Sequence, residues 1–283
     1  MRAARLHAAG DLRVGEEPTP AADAGMSLVR VTAVGICGSD LHWWDEGAIG
    51  DATLAHPLVL GHEGAGVIAE GPRQGERVAI DPAIACGTCR ACRDGYENLC
   101  YRIRFAGHGD TDGMMREFMA WPTGLLHPLP DGVSDADGAL LEPLGVAVHS
   151  ADLGHLPFAG TASVVGCGPI GLLLIGVLKA AGTDEGVRLA MESVRPGGRV
   201  VLAGIPSDDA IRFQASLARR KGLTIAMVRR MNRVYPRAIS LAERGVLDLG
   251  SVVTSRYGLG EVPEAFAAGA RRTGLKVIVE PQR

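Results

Sequence analysis

Four cysteines stand close together at Cys86, Cys89, Cys92 and Cys100, with gaps of two, two and seven residues between them. Four thiolates at such spacing can fold back around one tetrahedral zinc ion. Other chemistries use cysteine too. Disulfides belong to oxidising compartments, and nothing in the sequence implies one. The opening run matches the iron–sulfur spacing of bacterial ferredoxins, but that pattern continues with a three-residue gap and Cys-Pro. Here the last gap is seven residues and Tyr101 follows. Unliganded core cysteines are the remaining reading, set against a loop that carries Arg90, Arg93, Asp94 and Glu97. The spacing favours structural zinc.

A second group is Cys37-Gly38-Ser39-Asp40-Leu41-His42, with Gly61-His62-Glu63-Gly64 further on. One thiolate, one imidazole and carboxylates make a mixed sulfur, nitrogen and oxygen donor set. Three protein ligands and an open position are the pattern of a catalytic zinc. Each residue alone is weak evidence, since a lone cysteine is usually a small core residue and a His-Glu pair in a turn usually solvated; the combination gains strength because a four-cysteine site and a glycine fingerprint share the chain. A third group is Gly166-x-Gly168-Pro169-Ile170-Gly171, placed after an apolar run and before an apolar helix. In that context the glycines allow a tight turn and close backbone approach, and the helix N-terminus faces a pyrophosphate. Cys167 inside the turn is expected to be a packing residue.

These groups need elements to hold them. Up to about residue 150 the chain reads as short strands broken by Gly and Pro: Leu28 to Val34, Leu58 to Leu60, Val67 to Ala69 and Arg77 to Ile80. That pattern implies a small, mostly antiparallel β-domain. Beyond 150, strand and helix alternate, as in a parallel α/β sheet. Strands are expected at Ala162 to Val165, Arg199 to Ala203 and Leu223 to Val228, and helices at Leu172 to Ala181, Val187 to Val194 and Ile211 to Arg220. The tail should carry helices at Pro236 to Arg244 and Pro263 to Ala270, then a strand at Lys276 to Val279.

Composition narrows the function classes. The 283 residues are 47% hydrophobic and 22% charged, with a net charge of −3, enough apolar material for a packed core. A slightly acidic chain argues against nucleic acid as a partner, since phosphate binding needs clustered Lys and Arg. No apolar run reaches the length of a membrane span. The N-terminus, Met1 to Gly10, reads as a strand and not a signal peptide, so a cytoplasmic protein is expected. Glycine, at 39 residues, is about twice its ordinary share, which implies many tight turns.

Taken in order, the motifs resemble the zinc-dependent medium-chain dehydrogenase/reductase family over nearly the whole chain. The matching residues are Cys37-Gly-Ser-Asp-x-His42, Gly61-His62-Glu63, the four-cysteine lobe, Glu142-Pro143-Leu144 and the glycine fingerprint. Within the family the chain is most similar to the polyol branch, the sorbitol (L-iditol) and L-idonate dehydrogenases. Cys37 to Trp44, Gly47-x-x-Gly50, and Arg229-Arg230-Met-Asn232 with Tyr235-Pro236 carry that likeness. The resemblance implies a GroES-like zinc-binding catalytic domain over 1–150 and 230–283, and a Rossmann-type dinucleotide-binding domain over 151–229. It implies two zinc ions per subunit, one held by Cys37, His62, Glu63 and Glu142, the other by the four cysteines. It also implies NAD or NADP on Gly166, Gly168, Pro169, Ile170 and Gly171. Ser39 would take the proton of the substrate alcohol, His42 would pass it to solvent, and Asp40 would orient His62. Trp43, Trp44, Phe105 and Arg230 would line the substrate pocket. The partner would be a small alcohol or polyol, and the assembly a homodimer or homotetramer.

One part departs from the family. A complete dinucleotide domain has six parallel strands, and only three are found here. After the first helix the chain runs through Ala181-Gly182-Thr183-Asp184 straight into Val187 to Val194. Strands two, three and four and their helices are missing, roughly 60 residues at average element lengths. The carboxylate that holds the adenosine ribose belongs at the end of strand two. Asp184, Glu185 and Glu192 lie near that spacing, but none follows a strand. Two alternatives to an active oxidoreductase therefore stand: a non-catalytic zinc-binding remnant that no longer holds dinucleotide, or a cellular protein that is longer across the Gly182–Asp184 junction.

Overall fold

The computed structural model describes residues 1–156, 161–178, 186–204, 211 and 213–283. The chain divides into two compact units, Met1–Glu142 with Tyr235–Arg283, and Pro143–Val234. Among the described residues no helix is long and apolar enough to cross a membrane.

The first unit is built on a seven-stranded sheet. Its strands run in the order Leu126–Pro128, Arg77–Ile80, Glu63–Glu70, Met26–Gly35, Lys276–Glu280 and Val253–Gly258, with Phe118–Pro122 also paired to Met26–Gly35. All pairs are antiparallel except Val253–Gly258 on Lys276–Glu280, which is parallel. The Met26–Gly35 strand lies at the centre and is buried along most of its length. Its β-branched residues Val29, Val31 and Val34 suit a strand covered on both faces. They join Ile68, Ile80, Met119, Phe266 and Val279 in one core. The N-terminal strand Arg2–Ala8 pairs with Asp11–Glu16 and Leu58–Val59 in a smaller sheet. The tail helices, Tyr235–Glu243 and Val262–Ala270, and the last strand lie close to their expected limits. Because Ile278 and Val279 pair with Gly35 and Val34, residues from both ends of the sequence share this sheet.

The second unit is smaller. Arg199–Leu202 and Thr224–Met227 form a parallel pair joined through the helix Ala215–Lys221. The helices Pro169–Leu178 and Gly186–Ser193 precede them. Lys221 ends its own helix and donates from Nζ to the carbonyls of Met191, Glu192 and Val194. It thereby satisfies acceptors at the end of the Gly186–Ser193 helix that have no partner within that helix.

Two expected elements differ. Ala162 to Val165 forms no strand: Val164 alone is buried, and Thr161 and Ser163 are exposed. A parallel strand exists only by hydrogen bonding to neighbours, and the sheet here consists, among the described residues, of two strands paired with each other. The helix expected over Ile211 to Arg220 starts only at Ala215. Gln214 is its extended N-cap, and Ile211 and Phe213 lie outside it. The first helix starts earlier than Leu172, at Pro169, where a proline's missing N–H costs nothing. Its expected end at Ala181 and the Gly182–Asp184 junction lie outside the described residues.

Candidate active site and metal centres

The first centre forms where two loops meet the edge of the Glu63–Glu70 strand. Cys37 caps the helix Gly38–Glu46. Asp40, three residues on, reaches back with Oδ2 to accept the Cys37 N–H at 2.9 Å, a capping-box arrangement. Its Oδ1 accepts the Gly61 N–H at 3.1 Å and faces His62 Nδ1 at 3.4 Å. One buried carboxylate thus fixes the loop that carries Cys37 and the loop that carries His62. Burial pushes the Asp40 carboxyl up, but His62 and the two backbone donors outweigh it, and the group stays ionised, below the ordinary range. Burial opposes charge on His62 as well; Asp40 reverses that and raises the imidazole well above its usual value.

With Nδ1 turned to Asp40, Nε2 is the nitrogen of His62 left to ligate. Donor atoms of Cys37, His62 and Glu63 lie within 4.8 Å of one another. Ligands of one tetrahedral zinc stand about 3.3–3.8 Å apart, so this set fits a zinc ion with modest adjustment. Ser39 Oγ stands 3.4 Å from His62 Nε2, so its hydroxyl borders the same space. His42 Nδ1 meets Glu46 Oε1 at 2.9 Å, one helical turn along. Glu142, in the first turn of the Leu141–Gly154 helix, is buried but outside the three-donor group. Burial, with Glu63 adding to it, pushes its carboxyl up to about 7.

Glu63 is fully buried, and its carboxylate sits against Gly35: a Cβ there would lie 2.2 Å from Glu63 Oε2. Glycine is required because any side chain would occupy the carboxylate's place. Both Glu63 oxygens accept from Lys276 Nζ at 2.7 Å. In the sequence Lys276 marks only the start of the last strand. A lysine heading the buried run Val277-Ile278-Val279 was the available signal of a buried counter-charge.

Phe105 packs against His62 with ring centroids 5.2 Å apart. Trp43 is buried in the core and meets His108 edge-on at 5.5 Å. Trp44 tilts against Phe266 at 6.1 Å. Arg230 belongs to the other unit, in left-handed backbone at φ 56°.

The second centre is the four-cysteine lobe. Sγ separations are 3.5 Å for Cys89–Cys92, 3.9 Å for Cys89–Cys100 and 4.0 Å for Cys86–Cys92. A disulfide needs about 2.05 Å, and all four cysteines are free. Four sulfurs around one tetrahedral zinc stand about 3.8 Å apart, the spacing seen here. An iron–sulfur cluster would splay them outward onto separate irons. Backbone N–H groups of Cys86, Cys89 and Arg102 point at these sulfurs. Those of Thr88 and Cys89 bring the Cys86 thiol down to about 5.

In the second unit, the glycine turn opens the Pro169–Leu178 helix. Gly166 has φ +107°, a value other residues rarely adopt, and a Cβ on Gly171 would lie 1.7 Å from the Gly166 carbonyl oxygen. Above Gly166 and Gly168 the space is open. The turn fits a pyrophosphate at a helix N-terminus. Ribose recognition has no such support. Asp184 and Glu185 lie outside the described residues, and Glu192 sits inside the Gly186–Ser193 helix, not after a strand.

A Cys/His/Glu donor set beside a mostly antiparallel sheet, together with a parallel α/β unit whose first helix opens on a glycine turn, is the combination of features expected of a metal-dependent dehydrogenase. Comparison with known proteins agrees. Residues 23–131 match the alcohol dehydrogenase GroES-like domain. A sorbitol dehydrogenase of Bacillus subtilis is 30% identical over 345 residues, spanning 100% of this chain and 98% of that protein. Against 283 residues, 345 aligned positions leave 62 of the relative's residues without a counterpart. Among solved structures, L-idonate 5-dehydrogenase from Escherichia coli has a TM-score of 0.88 at 23% identity, with 99% of this chain and 97% of that one covered. An alcohol dehydrogenase from Escherichia coli CFT073, solved with NADH, has a TM-score of 0.88 at 24% identity, with 99% of each chain covered. The chain belongs to the zinc-dependent medium-chain dehydrogenase/reductase family and is polyol dehydrogenase-like within it.

Proposed function

We propose that the protein is a zinc-dependent oxidoreductase that moves hydride between a secondary alcohol of polyol or sugar-acid type and NAD(P). The observation that carries this is the convergence of Cys37, His62 and Glu63 donor atoms with the Ser39 hydroxyl beside His62. Cys37, His62 and Glu63 would hold the catalytic zinc, with Glu142 as a further carboxylate beside it; the four cysteines would hold the structural one. When bound, the catalytic zinc would supply the Lewis acidity that lowers an alcohol's pKa, and a nicotinamide would supply the hydride acceptor.

The rest is the work of this chain's side chains. Ser39 Oγ would accept the proton of the substrate hydroxyl as it gives up its own, and His42, one turn along and held by Glu46, would pass that proton towards solvent. Asp40 keeps the His62 tautomer and ring orientation fixed. Phe105, packed on His62, keeps one wall of the site dry. Trp43 and Trp44 are the other pocket candidates within this unit, and both pack the helix that bears Ser39 and His42 against the core. Gly166, Gly168, Pro169, Ile170 and Gly171 would cradle the pyrophosphate.

In this reading residues 1–150 and 230–283 form the catalytic domain and 151–229 a shortened dinucleotide domain. The Thr224–Met227 strand, with Met227 60% exposed, is the edge that would join two subunits into a homodimer or homotetramer. Free cysteines and an ordinary soluble composition suit the cytoplasm. The test is the rate of reduced nucleotide formation at 340 nm with sorbitol, xylitol, L-idonate and simple secondary alcohols. Turnover with polyols above simple alcohols supports the reading. No turnover with any substrate, by a protein that carries both zinc ions, leaves a zinc-binding remnant.

A further inference from the structure

We infer that Lys276 is a positioning residue for the catalytic metal centre: its ammonium, delivered by the C-terminal strand, holds the Glu63 carboxylate in place for the metal. This rests on reading Cys37, His62 and Glu63 as that centre. Lys276 is 3% exposed, and its three N–H bonds are all used. Two go to Glu63 Oε1 and Oε2 at 2.7 Å, the third to the Ile36 carbonyl at 3.2 Å. The Ile36 carbonyl belongs to the residue just before Cys37, so one ammonium braces a carboxylate donor and the backbone beside the thiolate donor.

Charge gives the same answer as geometry. The half-buried Cys37 and the buried Asp40, Glu63 and Glu142 bring acidic groups around His62. Carboxylates and thiolate packed there repel one another unless a cation stands among them. The Lys276 ammonium is the cation that stands there, in contact with both Glu63 oxygens and the Ile36 carbonyl. Each Glu63 oxygen keeps one lone pair for a metal after accepting from the lysine. Gly35 closes the other side of the carboxylate. The side chain thus has one orientation, and a metal meets a donor already in place.

The test is zinc retention, read apart from activity. Wild type, Lys276→Met and Lys276→Arg are dialysed against a graded series of chelator concentrations, and zinc per chain is counted by atomic absorption. The four-cysteine zinc, in the same unit but remote in sequence from Lys276, is the internal reference for folding. Lys276→Met should keep that zinc and hold the second one about 10–100-fold more weakly; Lys276→Arg, which keeps the cation, should recover most of the loss. Should the methionine chain fail to fold, Lys276→Gln takes its place with the same expectation. Two zinc ions held equally by wild type and Lys276→Met would overturn the inference. Equal loss in Lys276→Met and Lys276→Arg would also overturn it, because charge would then not be the cause. A wild-type chain that binds only the four-cysteine zinc would instead overturn the metal-centre reading itself.

Discussion

The unit made of Met1–Glu142 and Tyr235–Arg283 has a seven-stranded sheet, one continuous core and two converging donor groups. The Pro143–Val234 unit, among its described residues, has a two-stranded parallel sheet and the glycine turn that opens the Pro169–Leu178 helix. In the first, nearly every functional side chain is fixed by a second group: His62 by Asp40, Glu63 by Lys276, and the thiolates by backbone N–H donors. In the second, Val164 is buried although no strand forms around it among the described residues. A metal site needs three or four side chains and their immediate supports, which one small domain can supply whole. A dinucleotide spans a sheet, so its site depends on strands far from the phosphates. Removing strands therefore spares the first kind of site and truncates the second.

Cys100→Ser should give the largest effect. It removes one of four thiolates, and structural zinc of this kind carries on the order of 10 kcal/mol of binding free energy. The expected result is loss of one zinc per chain and rapid hydrogen exchange across residues 86–104, with exchange in Pro143–Val234 unchanged. Exchange that accelerates in both units would break the picture of a self-contained metal lobe.

Ser39→Ala comes next. It removes the group assigned to take the alcohol proton and should lower kcat/KM about 10²–10⁴-fold, with zinc content and nucleotide affinity unaltered. A change in nucleotide affinity equal to the loss of rate would mean that the two regions are not separable in function.

Asp81→Asn acts on stability. Burial pushes the Asp81 carboxyl from 3.8 up to about 6. Between about pH 4 and 6 the folded chain therefore holds a proton that the unfolded chain has released, and stability falls as pH rises through that window. The asparagine variant should lose this dependence and gain about 3 kcal/mol at pH 7, fading to nothing near pH 4. Urea unfolding at a series of pH values checks it.

The smallest effect is expected from Lys221→Met. The ammonium caps the Gly186–Ser193 helix end, and such contacts contribute about 0.3–1 kcal/mol. Faster exchange should be confined to that helix and the Arg199–Leu202 strand.

Much of the candidate site was legible because metal ligands are rare residue types at short spacings. Cys86, Cys89, Cys92 and Cys100 form their cluster within fifteen residues of chain. Cys37, His62 and Glu63 come together because Asp40 links their loops. Lys276 was not legible as a site residue, since it pairs with Glu63 across 213 positions and sits in an ordinary strand pattern. The fold was legible where a segment's pattern matched its partners, as in Met26–Gly35 and Lys276–Glu280. It failed at Ala162 to Val165, whose apolar character is that of a sheet centre although the described residues supply no neighbouring strand. Local sequence records what a segment can pair with, not whether the partner is there.

The most direct test of the account is a native mass spectrum of the purified chain titrated with NADH. The proposed function predicts two zinc ions and one NADH per 29.5 kDa subunit. Two zinc ions with no NADH at saturating concentration would contradict the dehydrogenase reading and leave a metal-loaded protein that does not bind its family's cofactor.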